Sequence, residues 1–507
     1  MKKKIILVIM SLLFCFSLFS QNIFNGLGID STISKEETNY TCTPLPSSKP
    51  PAQHSSAEGV PPLPLPVVPL RRTEKKNPPR PPVLVAKVST NNLNDWATNP
   101  SDINNLLKWM ASNLNVHFSS INMPEKNIPS DPKSVPILYR TGHEAFEFSD
   151  EVREKIRQYL LGGGTIIFDA CCGRKEFFIS AYREAEKLIP ERSPYRLSLD
   201  HPIYSSFFEI NHVGYRPWAL KAGAKNNQAS AIGIDIGCRT AVFIFRWDLS
   251  CGWDGLEDSD RHHCLGYDIK TANQIGSNLM AYITAERSSA LPLSQALEFV
   301  DAKAGKSGKF SIAQVTYDGL WKTRSAGLSM LLNAFYEQTG TPVIFKRDEI
   351  RLDSPRIFDF PFLYMTGHND FVLSRKENSQ LSSFLSKGGI LIAESCCGRE
   401  AFDHAFRKEI EKLHLKLEKI PSTDIIFSYP NKISNIMARP ALSKKLGSRI
   451  VPMELYGVKT CYGYSIIYSP YGLSCGWELA QCPYCKGIES KDALAIGVNI
   501  LSYAILH

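Results

Sequence analysis

The 507-residue chain has no basic stripe. Its net charge of +8 is unevenly spread: residues 1–82 hold ten Lys/Arg and five Asp/Glu, which leaves only +3 for everything after them. A nucleic-acid surface needs clustered cations on one face, so that class of partner is excluded. A comfortable membrane span is also missing at the N-terminus. The apolar run from Ile5 to Phe19 falls short of the roughly 20 residues that cross a bilayer. Hydrophobic periodicity is almost absent between Pro44 and Pro82, which hold 13 of the 32 prolines. That stretch cannot bury a core and runs as extended polyproline at about 3.1 Å per residue. Finally, Cys482-Pro-Tyr-Cys485 has no second Cys-x-x-Cys to complete an ordinary zinc ribbon.

These gaps frame what is present. Lys2, Lys3 and Lys4 ahead of the short apolar run have the layout of an export signal, expected over residues 1–20. Bulky Phe14 before Cys15 argues against a lipoprotein site, and an uncleaved signal would be the chain's route to a membrane. Residues 21–82 then form a proline-rich linker, whose Arg71, Arg72, Lys75, Lys76 and Arg80 are expected to be solvated. The protein is therefore expected in the periplasm, in the cell envelope or secreted. Without Cys15, twelve cysteines remain, an even number that fits an oxidising compartment.

Two stretches of the chain are nearly the same text, 225 residues apart. Tyr139-Arg-Thr-Gly-His143 and Gly164-Thr-Ile-Ile-Phe-Asp-Ala-Cys-Cys-Gly-Arg174 recur as Tyr364-Met-Thr-Gly-His368 and Gly389-Ile-Leu-Ile-Ala-Glu-Ser-Cys-Cys-Gly-Arg399. Leu249-Ser-Cys-Gly-Trp253 recurs as Leu473-Ser-Cys-Gly-Trp477. Two copies of one domain are expected, at 83–290 and 305–507. In each copy a short apolar run ends in Thr-Gly-His. A Ser-led amphipathic helix follows (Ser149 or Ser374), then a glycine stop and a second apolar run, Thr165 to Phe168 or Ile390 to Ala393. Strand, helix, glycine stop and strand make a βαβ unit with a parallel sheet covered on both faces. Thr240 to Arg246 and Tyr464 to Tyr468 are expected as further strands, and apolar helices from Ile275 to Ile283 and from Ala493 to Leu506 close the copies. Ligands of such sheets bind beyond the C-terminal strand ends, where both repeated motifs converge.

At these residues the chain resembles the bacterial domain-of-unknown-function family 4159. The shared pattern is the Tyr-x-Thr-Gly-His strand end, the Ser-led helix, Gly-Gly before an acidic strand end, and later Asp-His-Pro and Gly-Trp segments. The resemblance implies an α/β fold of two tandem flavodoxin-like or amidotransferase-like domains, each a mainly parallel sheet flanked by helices. It also implies an envelope setting, and it brings no settled activity. In amidotransferase-like enzymes a nucleophilic cysteine occupies the strand-to-helix elbow. Here Asp169 and Glu394 fall at that position, with the cysteines two and three residues later, so glutaminase chemistry is not expected.

The site candidates each carry two readings. Asp169 and Glu394 suit a general base, nucleophile or ligand contact, or a cap on the following helix. His143 and His368 close identical turns and can pair with an acid, or simply hold the turn. Arg174 and Arg399 open a helix, where an anion or the elbow acid can meet them. Asp169 and His143, with His201 of Asp200-His201-Pro202, form the catalytic hypothesis. Thr141, Gly142, Arg174, His368, Glu394 and Arg399 form the ligand-binding set. Repeat two reads Asp424-Ile-Ile at the matching place, so repeat one is expected to carry the working site.

For the cysteines a structural bridge ranks first. Cys171-Cys172 and Cys396-Cys397 precede Cys251 and Cys475 by 80 and 79 residues, and Cys264, Cys482 and Cys485 complete the candidate pairs. Zinc ranks second: repeat two offers Cys475, Cys482 and Cys485 with Cys461, whereas repeat one offers His262, His263 and Cys264 without a matching pattern. Redox work by Cys-Pro-Tyr-Cys ranks third. No cofactor or other metal is expected. The leading functional expectation is a non-catalytic binding or scaffold module, with a cleft at the strand ends of repeat one for an envelope protein or a small anionic ligand. The rival is a hydrolase using the Asp/His pair on an anionic substrate.

Overall fold

The glycine stop shows why each copy folds as it does. Gly163 and Gly388 adopt φ of 103° and 88°, which ends the helix before them. At the next residue a Cβ would lie 2.1 Å from the Tyr159 ring in one copy and 2.3 Å from the Phe384 ring in the other. Only glycine lets the chain double back so tightly under its own helix.

The computed structural model describes residues 81–256, 263–290, 311–324, 326–344, 348–461, 463–480 and 482–506. The expected export signal and linker, with Cys15, Cys42 and His262, lie outside the described residues. From Pro78 onward the chain forms one compact unit, and within it the two copies repeat each other strand for strand. In repeat one, β1 (Val83–Ser89), β2 (Ser119–Pro124), β3 (Ile137–Gly142), β4 (Thr165–Ala170), β5 (Tyr195–Arg196), β6 (Ile232–Ile236) and β7 (Arg239–Phe245) form a sheet in the order β2-β1-β3-β4-β7-β6-β5. In repeat two, β8 (Ile312–Thr316), β9 (Asp348–Arg351), β10 (Phe362–Gly367), β11 (Ile390–Ser395) and β12 (Glu418–Lys419) precede a small ribbon of β13 (Asn435–Met437) and β14 (Ile450–Pro452). β15 (Tyr456–Thr460) and β16 (Gly463–Ser469) complete the second sheet, in the order β9-β8-β10-β11-β16-β15-β12.

Five strands of each sheet run parallel, and the last two pairings, β7–β6–β5 and β16–β15–β12, are antiparallel. The parallel part has the doubly wound order expected of crossovers on both faces. In repeat one, helices Asp102–Leu114 and Ile269–Ala290 cover one face through Leu106, Met110, Ile275 and Leu279. Helices Asp150–Leu161 and Lys175–Leu188 cover the other through Ile156, Tyr159, Phe177 and Ala181. The Ser149 hydroxyl caps Val152, and Ser374 with Glu377 forms the expected capping box.

The two repeats also touch directly. His368 Nδ1 lies 3.1 Å from Asp235 Oδ2, the Glu400 amide donates to Asp200 Oδ2 at 3.0 Å, and Arg192 donates to the Lys322 carbonyl at 2.6 Å. The strand-end edge of repeat two therefore faces the antiparallel side of repeat one.

Candidate functional site

Both acidic strand ends are buried clamps. Asp169, at 0% exposure, accepts from the Tyr139 hydroxyl at 2.8 Å, from the Leu249 amide at 3.1 Å and from the Ser250 amide at 3.0 Å. Glu394 accepts from Tyr364 at 2.7 Å, Thr366 at 3.1 Å, the Ser474 amide at 3.0 Å and the Leu473 amide. Burial pushes both carboxyls up, that of Asp169 well above the usual range, and Asp248 pushes Asp169 further. The helical turn they cap is Ser250–Trp253 or Ser474–Trp477, some 80 residues away, and not the helix that follows them. The cap each acid supplies thus falls on a different helix from the one expected, and both carboxyls are buried.

His143 does not join Asp169. Its amide donates to Asp95 Oδ1 at 2.5 Å, and its ring faces Cys172, which raises its pKa against the pull of burial. Gly142 is where Asp95 packs: a Cβ there would lie 2.6 Å from Asp95 Oδ2. Thr141 donates to the Asp169 carbonyl at 2.9 Å. His201 is buried; its Nδ1 accepts from the Ile203 amide at 3.2 Å and its Nε2 lies 3.0 Å from Thr240 Oγ1. Burial, reinforced by Arg399, pushes its pKa down to about 3, which keeps the ring neutral. His201 caps the short turn Pro202–Tyr204, and Asp424 caps the matching turn Ile425–Phe427. The expected triad of Asp169, His143 and His201 is therefore three separate structural contacts. Arg174 is exposed, whereas Arg399 reaches the Asp200 carbonyl at 3.4 Å across the seam.

The acid clamps bring the cysteines together. By tying the Ser-Cys-Gly-Trp turn to the elbow, they place Cys251 and Cys475 against the vicinal pairs. Elbow residues Cys172 and Cys397 hold left-handed backbones, φ 51° and 55°, which side-chain-bearing residues adopt at a cost. Repeat one gathers Cys171, Cys172, Cys251 and Cys264; repeat two gathers Cys396, Cys397, Cys475, Cys482 and Cys485, joined by Cys238 from the β6–β7 turn of repeat one.

Among the described residues no two sulfurs lie at disulfide distance. None of the eleven described cysteines is in a disulfide: Cys172 lies 3.7 Å from Cys251, Cys397 3.3 Å from Cys475 and Cys396 3.9 Å from Cys397. A bridge requires about 2.0 Å. Neighbouring S–H groups push the Cys172, Cys251, Cys397 and Cys475 thiols down, and the same crowding pushes Cys171, Cys264 and Cys485 up. Cys171, Cys172, Cys251 and Asp248 meet within 4.8 Å of one another, as do Cys238, Cys396, Cys397 and Cys475. Of the expected zinc ligands Cys475, Cys482, Cys485 and Cys461, only Cys475 belongs to such a group, whose other members are Cys238, Cys396 and Cys397. Cys461 is exposed and stands apart.

Two cavities lie along the seam between the repeats. One of about 630 Å³ is lined by Arg196, Asp200 and His201 from repeat one and by His368, Arg399 and Lys408 from repeat two. The other, about 830 Å³, lies beside it and shares Tyr195 and Asn369. The smaller of these two cavities lies over the strand ends of repeat two, where repeat one roofs that edge.

No curated protein matches the chain. Among solved structures it is similar to alpha-L-fucosidase isoenzyme 2 from Paenibacillus thiaminolyticus, at 14% identity over 48% of this chain and 37% of that one, TM-score 0.20. It is also similar to tagatose-6-phosphate ketose/aldose isomerase from Escherichia coli, at 10% identity over 62% and 70%, TM-score 0.14. The chain thus spans little more than a third of the fucosidase, and at these scores neither likeness bears on fold or activity. The repeat itself is decisive: the family model described as Domain of unknown function (DUF4159) matches residues 84–284 and again 311–505, and the chain belongs to that family as a tandem pair.

Proposed function

We propose that the chain is an exported envelope protein that works as a non-catalytic binding module, with its ligand site in the cleft between the repeats. The observation that carries this reading is the cavity of about 630 Å³ lined from both copies. Arg196, Arg399 and Lys408 line it against Asp200 and Asp370, and Asp200 is already engaged with Arg399. A small polar anion, such as a carboxylate or phosphate, is the ligand this lining favours. The two acids at the strand ends are spent on buried clamps, which speaks against the hydrolase alternative. The lysine-led apolar N-terminus supports export, and no helix of the described residues is long and apolar enough to cross a membrane.

Thermal stabilisation by inorganic phosphate, citrate and a panel of short carboxylates tests the reading. At least one anion should raise the melting temperature of the wild-type chain, and Lys408→Glu, at an exposed position, should abolish that gain without lowering the ligand-free value. Equal stabilisation of both proteins would sink the cleft assignment. Fractionation of expressing cells should recover the chain outside the cytoplasm.

A further inference from the structure

We propose that Cys238, Cys396, Cys397 and Cys475 form a tetrathiolate zinc site on the seam, which staples repeat one to repeat two. Their sulfurs come from three places in the chain: the β6–β7 turn of repeat one, the elbow after β11, and the Ser474–Trp477 turn. Each is positioned by something other than the cluster. The Glu394 clamp fixes the Ser474–Trp477 turn, the left-handed Cys397 fixes the elbow, and the tight turn at Gly237 (φ 66°) presents Cys238.

The spacing decides the chemistry. Cys238 lies 3.5 Å from Cys396, Cys396 lies 3.9 Å from Cys397 and 4.0 Å from Cys475, and Cys397 lies 3.3 Å from Cys475. A tetrahedron with metal–sulfur bonds of about 2.3 Å has edges of about 3.8 Å. These distances straddle that edge and are nearly twice a disulfide's. An iron–sulfur cube would spread its thiolates over a larger tetrahedron, so a single ion fits better. Zinc is favoured because an all-sulfur tetrahedral set is its usual structural shell.

Two side chains beside the cluster make the second observation. His368 has a side chain only 2% exposed; its Nδ1 is held by Asp235, but its Nε2 has no hydrogen-bond partner. The Arg324 side chain is only 9% exposed. One Nη reaches Glu478 at 3.2 Å, its Nε has no partner, and its charge faces Cys238, Cys397, Cys475 and Cys482. Four thiolates on Zn²⁺ carry a net charge of −2, and a neighbouring guanidinium, shared with Glu478, offsets part of it. Repeat one has Asn99 in the comparable role, donating to Cys171 at 3.4 Å and Cys251 at 3.3 Å. Its own cluster has three thiols and Asp248 within 4.8 Å and no contribution from repeat two. Cys482, 3.3 Å from Glu286, and Cys485 flank the seam site without belonging to the tetrahedron.

Binding is balanced as Zn²⁺ + 4 Cys–SH giving Zn(S–Cys)₄²⁻ + 4 H⁺. Four metal–sulfur bonds form, four S–H bonds break, the protons leave to solvent, and nothing is oxidised.

The test uses the full chain purified without chelator or metal-affinity resin. Elemental analysis should find zinc, and Cys238→Ser should remove one ion per chain while Cys461→Ser leaves the content unchanged. Replacement by Co²⁺ should give an intense thiolate-to-metal band in the near ultraviolet, weakened in Cys238→Ser. A second measurement needs no variant. Cys238, Cys396, Cys397 and Cys475 should resist alkylation until a chelator is added, and then react at least tenfold faster; Cys461 should react throughout. The proposal is overturned by unchanged metal content in Cys238→Ser, by alkylation indifferent to chelator, or by a metal-free chain whose mass is 2 Da low for each bridged pair.

Discussion

If Asp169 is a clamp and not a base, replacing it should damage the fold before it damages any reaction. Its carboxylate is the acceptor for one phenol and two backbone amides, all buried. Asp169→Ala leaves three donors without an acceptor, at roughly 1–2 kcal/mol each, so a loss of about 4 kcal/mol is expected. Asp169→Asn keeps one acceptor oxygen of similar shape and should lose about half as much. Tyr139→Phe, which removes a single partner, should cost ~1 kcal/mol. The assay is urea denaturation of the full chain, followed by tryptophan fluorescence, since Trp253 sits in the capped turn. In a double-mutant cycle, Tyr139→Phe and Asp169→Asn should couple, because they share one hydrogen bond. A loss below about 1 kcal/mol for Asp169→Ala would refute the clamp and return the carboxylate to the list of chemical groups.

Two further outcomes follow from the same structure. Burial holds His201 neutral with a pKa of about 3 against an unfolded value near 6.5. Because the folded value is depressed, the stability it brings is complete above pH 6.5 and is lost as pH falls from there toward about 3. At pH 5 the deficit should approach about 2 kcal/mol. His201→Asn, which keeps a capping acceptor, should flatten the profile between pH 6.5 and 5, and an unchanged slope would assign that acid sensitivity elsewhere. The Asp235–His368 pair is 2% exposed on both sides and joins the repeats. Asp235→Asn should cost about 3–5 kcal/mol and split a single calorimetric transition into two; one unsplit transition would mean the seam is held without it.

Much of the fold was legible in the sequence, and the reasons are local. The Ser-led helices, the Gly-Gly stops and the apolar runs state their own conformations, because capping, positive φ and burial act over a few residues. The elbow acids were legible as caps, yet their recipient was not. A carboxylate at the end of a strand reaches whatever the sheet brings alongside, and β4 is hydrogen-bonded to β7, which delivers Leu249 and Ser250 from 80 residues away. The cysteine spacing announced proximity, but a count of residues cannot distinguish sulfurs 2 Å apart from sulfurs nearly 4 Å apart. Cys238 was invisible as a partner for another reason. It meets Cys396 only because repeat one lies over the strand ends of repeat two, and no property of either copy alone encodes that contact. The same roof encloses the cavity over the strand ends of the second copy.

That roof breaks the equivalence of the duplicated text. His143, Cys172 and Arg174 stand at an edge that solvent reaches, while His368, Cys397 and Arg399 occupy the same positions beneath a neighbour. A substitution tolerated in one copy is thus judged by water and in the other by a packed surface. The two copies thus hold their most similar residues in different surroundings, and the likeness of the motifs understates how far those surroundings have parted.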